Sequence, residues 1–189
     1  MNLNDIIPPS DHAHREGFTN EPLLDALDAA ERRALEQALV ADLQAGSTDM
    51  LVVDTLVYLQ ANSTEPLIRS FIGRCADPGI RLGATAALYR LTQDRALLAP
   101  ALDCFRALEA RSDAYRVYVL ISAFDNLAEF TGSEVDRVLE TYAQHPDFLL
   151  SYNAARSRSL PRRVIRPLPG ATTSEQPGET SRSGEQGNS

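Results

Sequence analysis

Three histidines and two cysteines are the first side chains to consider for metal binding or nucleophilic catalysis. His12 and His14 lie two positions apart near the N-terminus, and His145 lies far along the chain. A metal site needs a third ligand and a firm scaffold, and the residues around His12 and His14 supply neither. We therefore predict that the protein has no metal site.

Cys75 and Cys104 have neither the spacing of a zinc site nor that of a redox pair. No histidine flanks either thiol to act as its base, so we expect both cysteines to be small core residues. The sequence contains no G-x-x-x-x-G-K-[ST], H-E-x-x-H or G-x-S-x-G motif. It also contains no lysine that could form a Schiff base. We predict no catalytic residue, no cofactor and no enzymatic activity.

The charge of the chain is uneven along its length. Through residue 155 there are 12 Arg against 23 Asp and Glu, a net charge of −11, and the remaining residues carry +3. An acidic body repels nucleic acid and attracts basic proteins. The one basic cluster, from Arg156 to Arg166, is interpreted as a solvated helix end and linker. All 18 basic residues are Arg, which indicates the codon bias of a GC-rich genome.

Composition divides the chain into three parts. Residues 1–20 are predicted to be a loose leader, residues 21–159 a helical domain, and residues 160–189 a disordered tail rich in Pro, Gly, Ser and Glu. No apolar run approaches the roughly 20 residues of a membrane span and no secretory signal is present, so we expect a cytoplasmic protein without membrane contact. Capping residues and helical periodicity predict helices at about 22–26, 29–44, 48–61, 64–75, 78–92, 95–109, 114–130, 134–144 and 146–157.

The segment 77–91, DPGIRLGATAALYRL, carries the strongest pattern. It resembles the second helix of a HEAT-like repeat, D-P-x-[VI]-R-x-x-A-x-x-A-L-x-x-L. Apolar i,i+3 pairs recur at Leu56 and Leu59, at Leu88 and Leu91, and at Phe124 and Leu127, separated by 32 and then 36 residues. Near-constant spacing of this size is typical of a solenoid.

We therefore expect an all-α fold, a short right-handed α-α superhelix of about four helix pairs. Its short period is similar to the compact HEAT-like repeats of the phycobilisome-lyase type. An irregular helical bundle is the alternative fold that the sequence leaves open.

The HEAT-like resemblance implies that the second helices line a concave face, and that this face binds another molecule. The predicted groove is apolar and aromatic with acidic edges. Its residues are Met50, Val53, Asp54, Val57, Leu82, Thr85, Tyr89, Tyr118, Ile121, Asp125 and Glu129. The alternative is that these side chains pack against the first helices or the terminal segments.

These features favour a non-enzymatic protein-binding module. By its size, acidity and resemblance, the chain looks like an immunity-type protein that neutralises a basic toxin or effector through its concave face. Two other functions remain open at this point. One is a scaffold or adaptor subunit of an assembly, and the other is a lyase-associated HEAT-like subunit that handles a chromophore. A shared fold does not decide among these activities.

Overall fold

The computed structural model describes residues 3–10, 15 and 17–160. These residues form helices connected by turns, with no β-strand among them, which confirms the all-α prediction. The α-helices are α1 Leu3–Ile6, α2 Glu21–Ala26, α3 Ala29–Gln44, α4 Met50–Tyr58, α5 Glu65–Arg74, α6 Pro78–Thr92, α7 Leu98–Glu109, α8 Arg116–Ala128, α9 Ser133–Ala143 and α10 Phe148–Ser159. Short 3₁₀ turns at Asn62–Thr64 and Arg95–Leu97 precede α5 and α7.

Aspartate side chains cap several helix N-termini. The spacing of Asp28 and Glu31 predicts a capping box, and it is present. Asp28 accepts hydrogen bonds from the N–H groups of Ala30 and Glu31, and the Glu31 carboxylate accepts one from the Asp28 N–H. The sequence also predicts Asp77 as the cap of α6, and Asp77 accepts from the first N–H groups of that helix.

Ser47 and Ser133 are the caps that the sequence predicts for the helices at 48–61 and 134–144, and both predictions are wrong. Asp49 caps α4, and α9 begins at Ser133 itself, after Gly132. An ionised carboxylate is a stronger partner than a hydroxyl for the positive end of a helix.

Pro100 determines where α7 can begin. The sequence predicts that this proline kinks or splits a helix that Asp94 opens. Asp94 caps only the 3₁₀ turn, accepting from the Ala96 N–H at 2.9 Å, and α7 starts afresh at Leu98. Pro100 thereby falls in the first turn of α7, where the N–H it lacks has no intrahelical partner. The predicted split is confirmed.

Helix α6 is the centre of the packing. It contacts α4, α5, α7 and α8, while α8 also contacts α10, and the pairs α3–α4, α7–α8 and α9–α10 pack against each other. Ala84 and Ala87 are fully buried on α6, where their small side chains allow close approach by neighbouring helices. The apolar i,i+3 pairs seen in the sequence are buried, except that Leu91 is only partly buried.

The N-terminal segment differs from the expected loose leader. Residues 3–6 form α1, and Ile6 is only 2% exposed within the core. Asn20 donates to the Ile6 carbonyl at 3.2 Å and to Thr55 Oγ1 on α4 at 2.8 Å, and Arg15 forms a two-pronged ion pair with Asp49. The described residues of this segment are anchored by individual contacts and not by one apolar helix face, so periodicity could not reveal their packing.

Two expectations lie outside the described residues. The first is the metal question at His12 and His14, and the second is the predicted disordered tail, apart from its first residue, Leu160. Leu160 follows the C-terminal end of α10 and is exposed.

An aromatic cluster fixes α9 against α7 and α8. Tyr142 of α9 lies edge-on to Phe105 of α7, with ring centroids 5.8 Å apart, and 4.9 Å from the ring of Phe124 of α8. Its hydroxyl donates to Glu109 Oε1 at 2.7 Å. Burial, together with this bond to a carboxylate, raises the pKa of Tyr142 to about 12.

Two glycine-to-alanine substitutions should change the free energy of unfolding in opposite directions, one through backbone conformation and the other through helix propensity. Gly46 ends α3 with φ +98°, whereas Gly73 lies exposed within α5, and an added Cβ meets nothing within 4 Å at either position. We expect Gly46→Ala to lower the free energy of unfolding by about 1 kcal/mol, and Gly73→Ala to raise it by up to about 1 kcal/mol. Urea denaturation of both variants measures the difference, and equal effects would contradict the backbone explanation.

The raised pKa of Tyr142 predicts a loss of stability in alkali. Since the unfolded tyrosine releases its proton near pH 10 and the folded one near pH 12, the folded state binds the extra proton between these values. The contribution of Tyr142 is fully present below pH 10 and declines as the pH rises to 12. We expect Tyr142→Phe to make this decline shallower in denaturation curves recorded across that range. An unchanged decline would show that other groups cause it.

Candidate functional site

Five residues of the predicted groove are buried in the core. The exposed fractions are 4% or less for Val53, Val57, Leu82, Thr85 and Tyr89. Because α6 is packed against four other helices, its C-terminal half has no open side. The alternative of internal packing therefore holds for these five residues.

Tyr89 shows why a buried position of the predicted groove cannot contact a binding partner. Its ring lies 4.5 Å from that of Phe130, and its hydroxyl is 3.1 Å from Thr131 Oγ1. Thr85 likewise donates its hydroxyl to the Arg81 carbonyl at 2.6 Å. Both side chains have their polar atoms satisfied within the fold, so a partner would gain nothing without disrupting the core.

The acidic edge of the predicted groove is internally paired. Arg90 on α6 donates to Asp54 of α4 at 2.6 Å, and its other terminal nitrogen is 3.8 Å from Glu129 after α8. Asp125 accepts from Arg156 at 2.9 Å and from the Ser157 hydroxyl at 2.6 Å. These carboxylates join α4 to α6, α6 to the end of α8, and α8 to α10, which sequence spacing alone could not show.

The remaining residues of the predicted groove stay at the surface. Tyr118 is 65% exposed, and Met50 and Ile121 are partly buried. A Cβ added to Gly83 of α6 would lie 3.7 Å from both the sulfur of Met50 and the side-chain nitrogen of Asn126. Helices α4, α6 and α8 therefore meet closely at Gly83.

A cavity of about 440 Å³ opens between α6 and α8. Leu82 and Leu108 line its interior, and Tyr115 and Tyr118, 69% and 65% exposed, stand at its surface. We call this cavity and its two tyrosines the α6–α8 groove. Sequence reasoning missed Tyr115, although the i,i+3 spacing of two tyrosines where α8 begins was a readable signal.

The two thiols do not form a reactive site. Cys75 and Cys104 are both buried, and burial raises the pKa of each thiol. Neither is then a ready thiolate at neutral pH. Within residues 3–10, 15 and 17–160, no three His, Cys, Asp or Glu side chains are grouped to hold a metal ion.

Three comparisons with known proteins found no match. The chain matches no protein-family model, no curated protein and no solved structure. No helix in the described part of the chain has the length and apolar character needed to traverse a bilayer.

The Arg90 ion pairs predict a measurable stability difference. Arg90→Met removes the cation beside Asp54 and beside the 12% exposed Glu129 side chain, so we expect unfolding to cost about 1–3 kcal/mol less. The matched control is Arg69→Met, because Arg69 pairs with Glu65 and Asp94 at the surface. That variant should lose less than about 1 kcal/mol. Equal losses in urea denaturation would contradict the structural role of Arg90.

Proposed function

We propose that this protein is a non-enzymatic protein-binding module whose partner packs on the α6–α8 groove. The observation that carries the proposal is an apolar cavity of about 440 Å³ beside two tyrosines that are each more than 60% exposed. Tyrosine supplies a large, amphipathic contact area and is enriched at protein interfaces. A partner side chain inserted between these rings would cover the partly exposed Gly79 and Val119, which line the cavity above the buried Leu82 and Leu108.

The packing of the helices supports a HEAT-like architecture for this module. Helices α4, α6, α8 and α10 contact one another in succession, and each is packed against a helix that precedes it in the chain. We infer a short right-handed superhelix of about four pairs, in which these four second helices form one face. Solenoids of this kind use an extended face to bind other molecules.

Charge supports a basic protein as the partner. The body carries −11 through residue 155, and internal ion pairs do not change that sum. Since Asp54, Asp125 and Glu129 are engaged within the fold, the acidity acts by attracting the partner from a distance. Apolar contact at the groove then supplies the affinity. Attraction by charge and affinity from apolar contact are what we expect of a bacterial, cytoplasmic immunity-type protein that blocks a basic toxin or effector.

The experiment uses a basic protein encoded beside this chain, co-expressed and then tested as purified components. Tyr118→Ala should weaken binding at least 10-fold, mainly through faster dissociation, because the ring is lost from the contact. Tyr118 is exposed, so circular dichroism should be unchanged. The matched control is Leu23→Ala on α2, an exposed apolar residue far along the chain from the groove.

Salt distinguishes the long-range attraction between charges from the apolar contact at the groove. Raising the ionic strength should slow association and leave dissociation almost unchanged, because steering is a long-range effect. Binding of the Tyr118→Ala variant at wild-type affinity would reject the groove, and a basic neighbour that never binds would reject the immunity-type function. Visible absorbance of the purified protein would favour the chromophore-handling alternative instead.

A further inference from the structure

The last helix presents an apolar row to solvent. Phe148 and Tyr152 of α10 are 73% and 57% exposed, and their rings stack with centroids 5.8 Å apart. Ala155 and Ser159 continue the same row at helical spacing and are also exposed. At 100° per residue, this row lies opposite the face of α10 that is buried against α8 and α9. Terminal units of stacked helices normally carry a polar outer face.

The other end of the helical row is covered. No residue of α4 is exposed. Thr55 of α4 accepts a hydrogen bond from Asn20 at 2.8 Å, and the Tyr58 hydroxyl donates to Asp25 of α2 at 2.8 Å. Asn20 and α2 therefore lie against α4, and this helix leaves no apolar row open to a second molecule.

This asymmetry between the ends points to a specific partner for α10. Head-to-tail stacking would need an open end on both sides, whereas two copies can join through their C-terminal ends alone. Such a contact uses the same surface on both molecules and closes with two-fold symmetry. We infer that the protein forms a homodimer in which the outer row of α10 packs antiparallel against α10 of a second copy.

Side-chain volume supports the antiparallel direction. With the two-fold axis between residues 153 and 154, Phe148 faces Ser159 of the second copy and Tyr152 faces its Ala155. Each large ring then meets a small residue, which is the complementarity that close packing requires. A parallel arrangement would place ring against ring and leave the small residues apart.

Charge supports the same direction. Asp147 caps the N-terminus of α10, whereas Arg156 and Arg158 lie in its last turn. The two arginines pair within the fold, with Asp125 and Glu140 respectively, and their side chains remain 45% and 42% exposed. Antiparallel helices bring the acidic end of one copy to the basic end of the other, and their dipoles oppose. Parallel helices would bring arginines together.

The test is the mass of the full chain in solution, measured without any partner by light scattering and sedimentation equilibrium. We expect twice the 20.7 kDa of one chain. Ala155→Glu places a charge at the centre of the contact and should weaken dimerisation at least 10-fold. Since Ala155 is exposed, helicity should be retained. The matched control is Leu23→Glu on α2, which places the same charge on an exposed apolar residue outside both surfaces and should leave the dimer intact.

Each other outcome overturns the inference. A monomer at every concentration, or a dimer that Ala155→Glu does not weaken, would exclude this interface. A chain cut after Leu160 that dimerises while the full chain stays monomeric would mean that residues 161–189 take the place of the second copy. A disulfide between two Ser159→Cys chains would show parallel helices, because antiparallel pairing holds these positions at opposite ends. The native cysteines are buried and do not compete. The Tyr118→Ala binding experiment is independent of all these results.

Discussion

Close packing around α6 is the constraint on which the rest of the structure depends. Ala84, Ala86 and Ala87 are at most 1% exposed, and their small side chains allow neighbouring helices to pack closely around one helix. This arrangement buries the apolar pairs of the flanking helices in one continuous core. It also closes the C-terminal half of α6 to solvent, so a surface for binding has to lie at its N-terminal half or on other helices.

The acidic side chains between the helices stabilise the fold, and only the net charge of the body remains to attract a partner. Arg90 joins carboxylates from two neighbouring helices, and Asp125 joins α8 to α10 through Arg156 and Ser157. The acids that the sequence suggested as contacts for a basic partner thus hold successive helices in register. The excess negative charge of the body remains, and its effect at a distance does not require any one of these carboxylates to be open.

The two proposals give different binding roles to two apolar surfaces, the α6–α8 groove and the outer row of α10. The α6–α8 groove combines a cavity with exposed tyrosines, which suits insertion of side chains from a different protein. The outer row of α10 is a strip with large residues at one end and small ones at the other, which suits contact with itself. Because α8 lies between α6 and α10, a dimer through α10 would leave the groove open, and both surfaces could be used in one assembly.

The sequence by itself determined the helical class, most helix positions, the caps at Asp28 and Asp77, and the break at Pro100. These features depend on local periodicity and on hydrogen bonds between residues close in the chain. Only the tertiary structure decided which side of each helix is open. Tyr89 and Tyr118 both lie on the helix side that the sequence pattern assigned to the groove, yet one is buried against Phe130 and the other is solvent-exposed. Whether a tyrosine is buried or exposed depends on how many helices surround its own helix. Residues distant in the chain determine this, as they also determine the contact of Asn20 with Thr55.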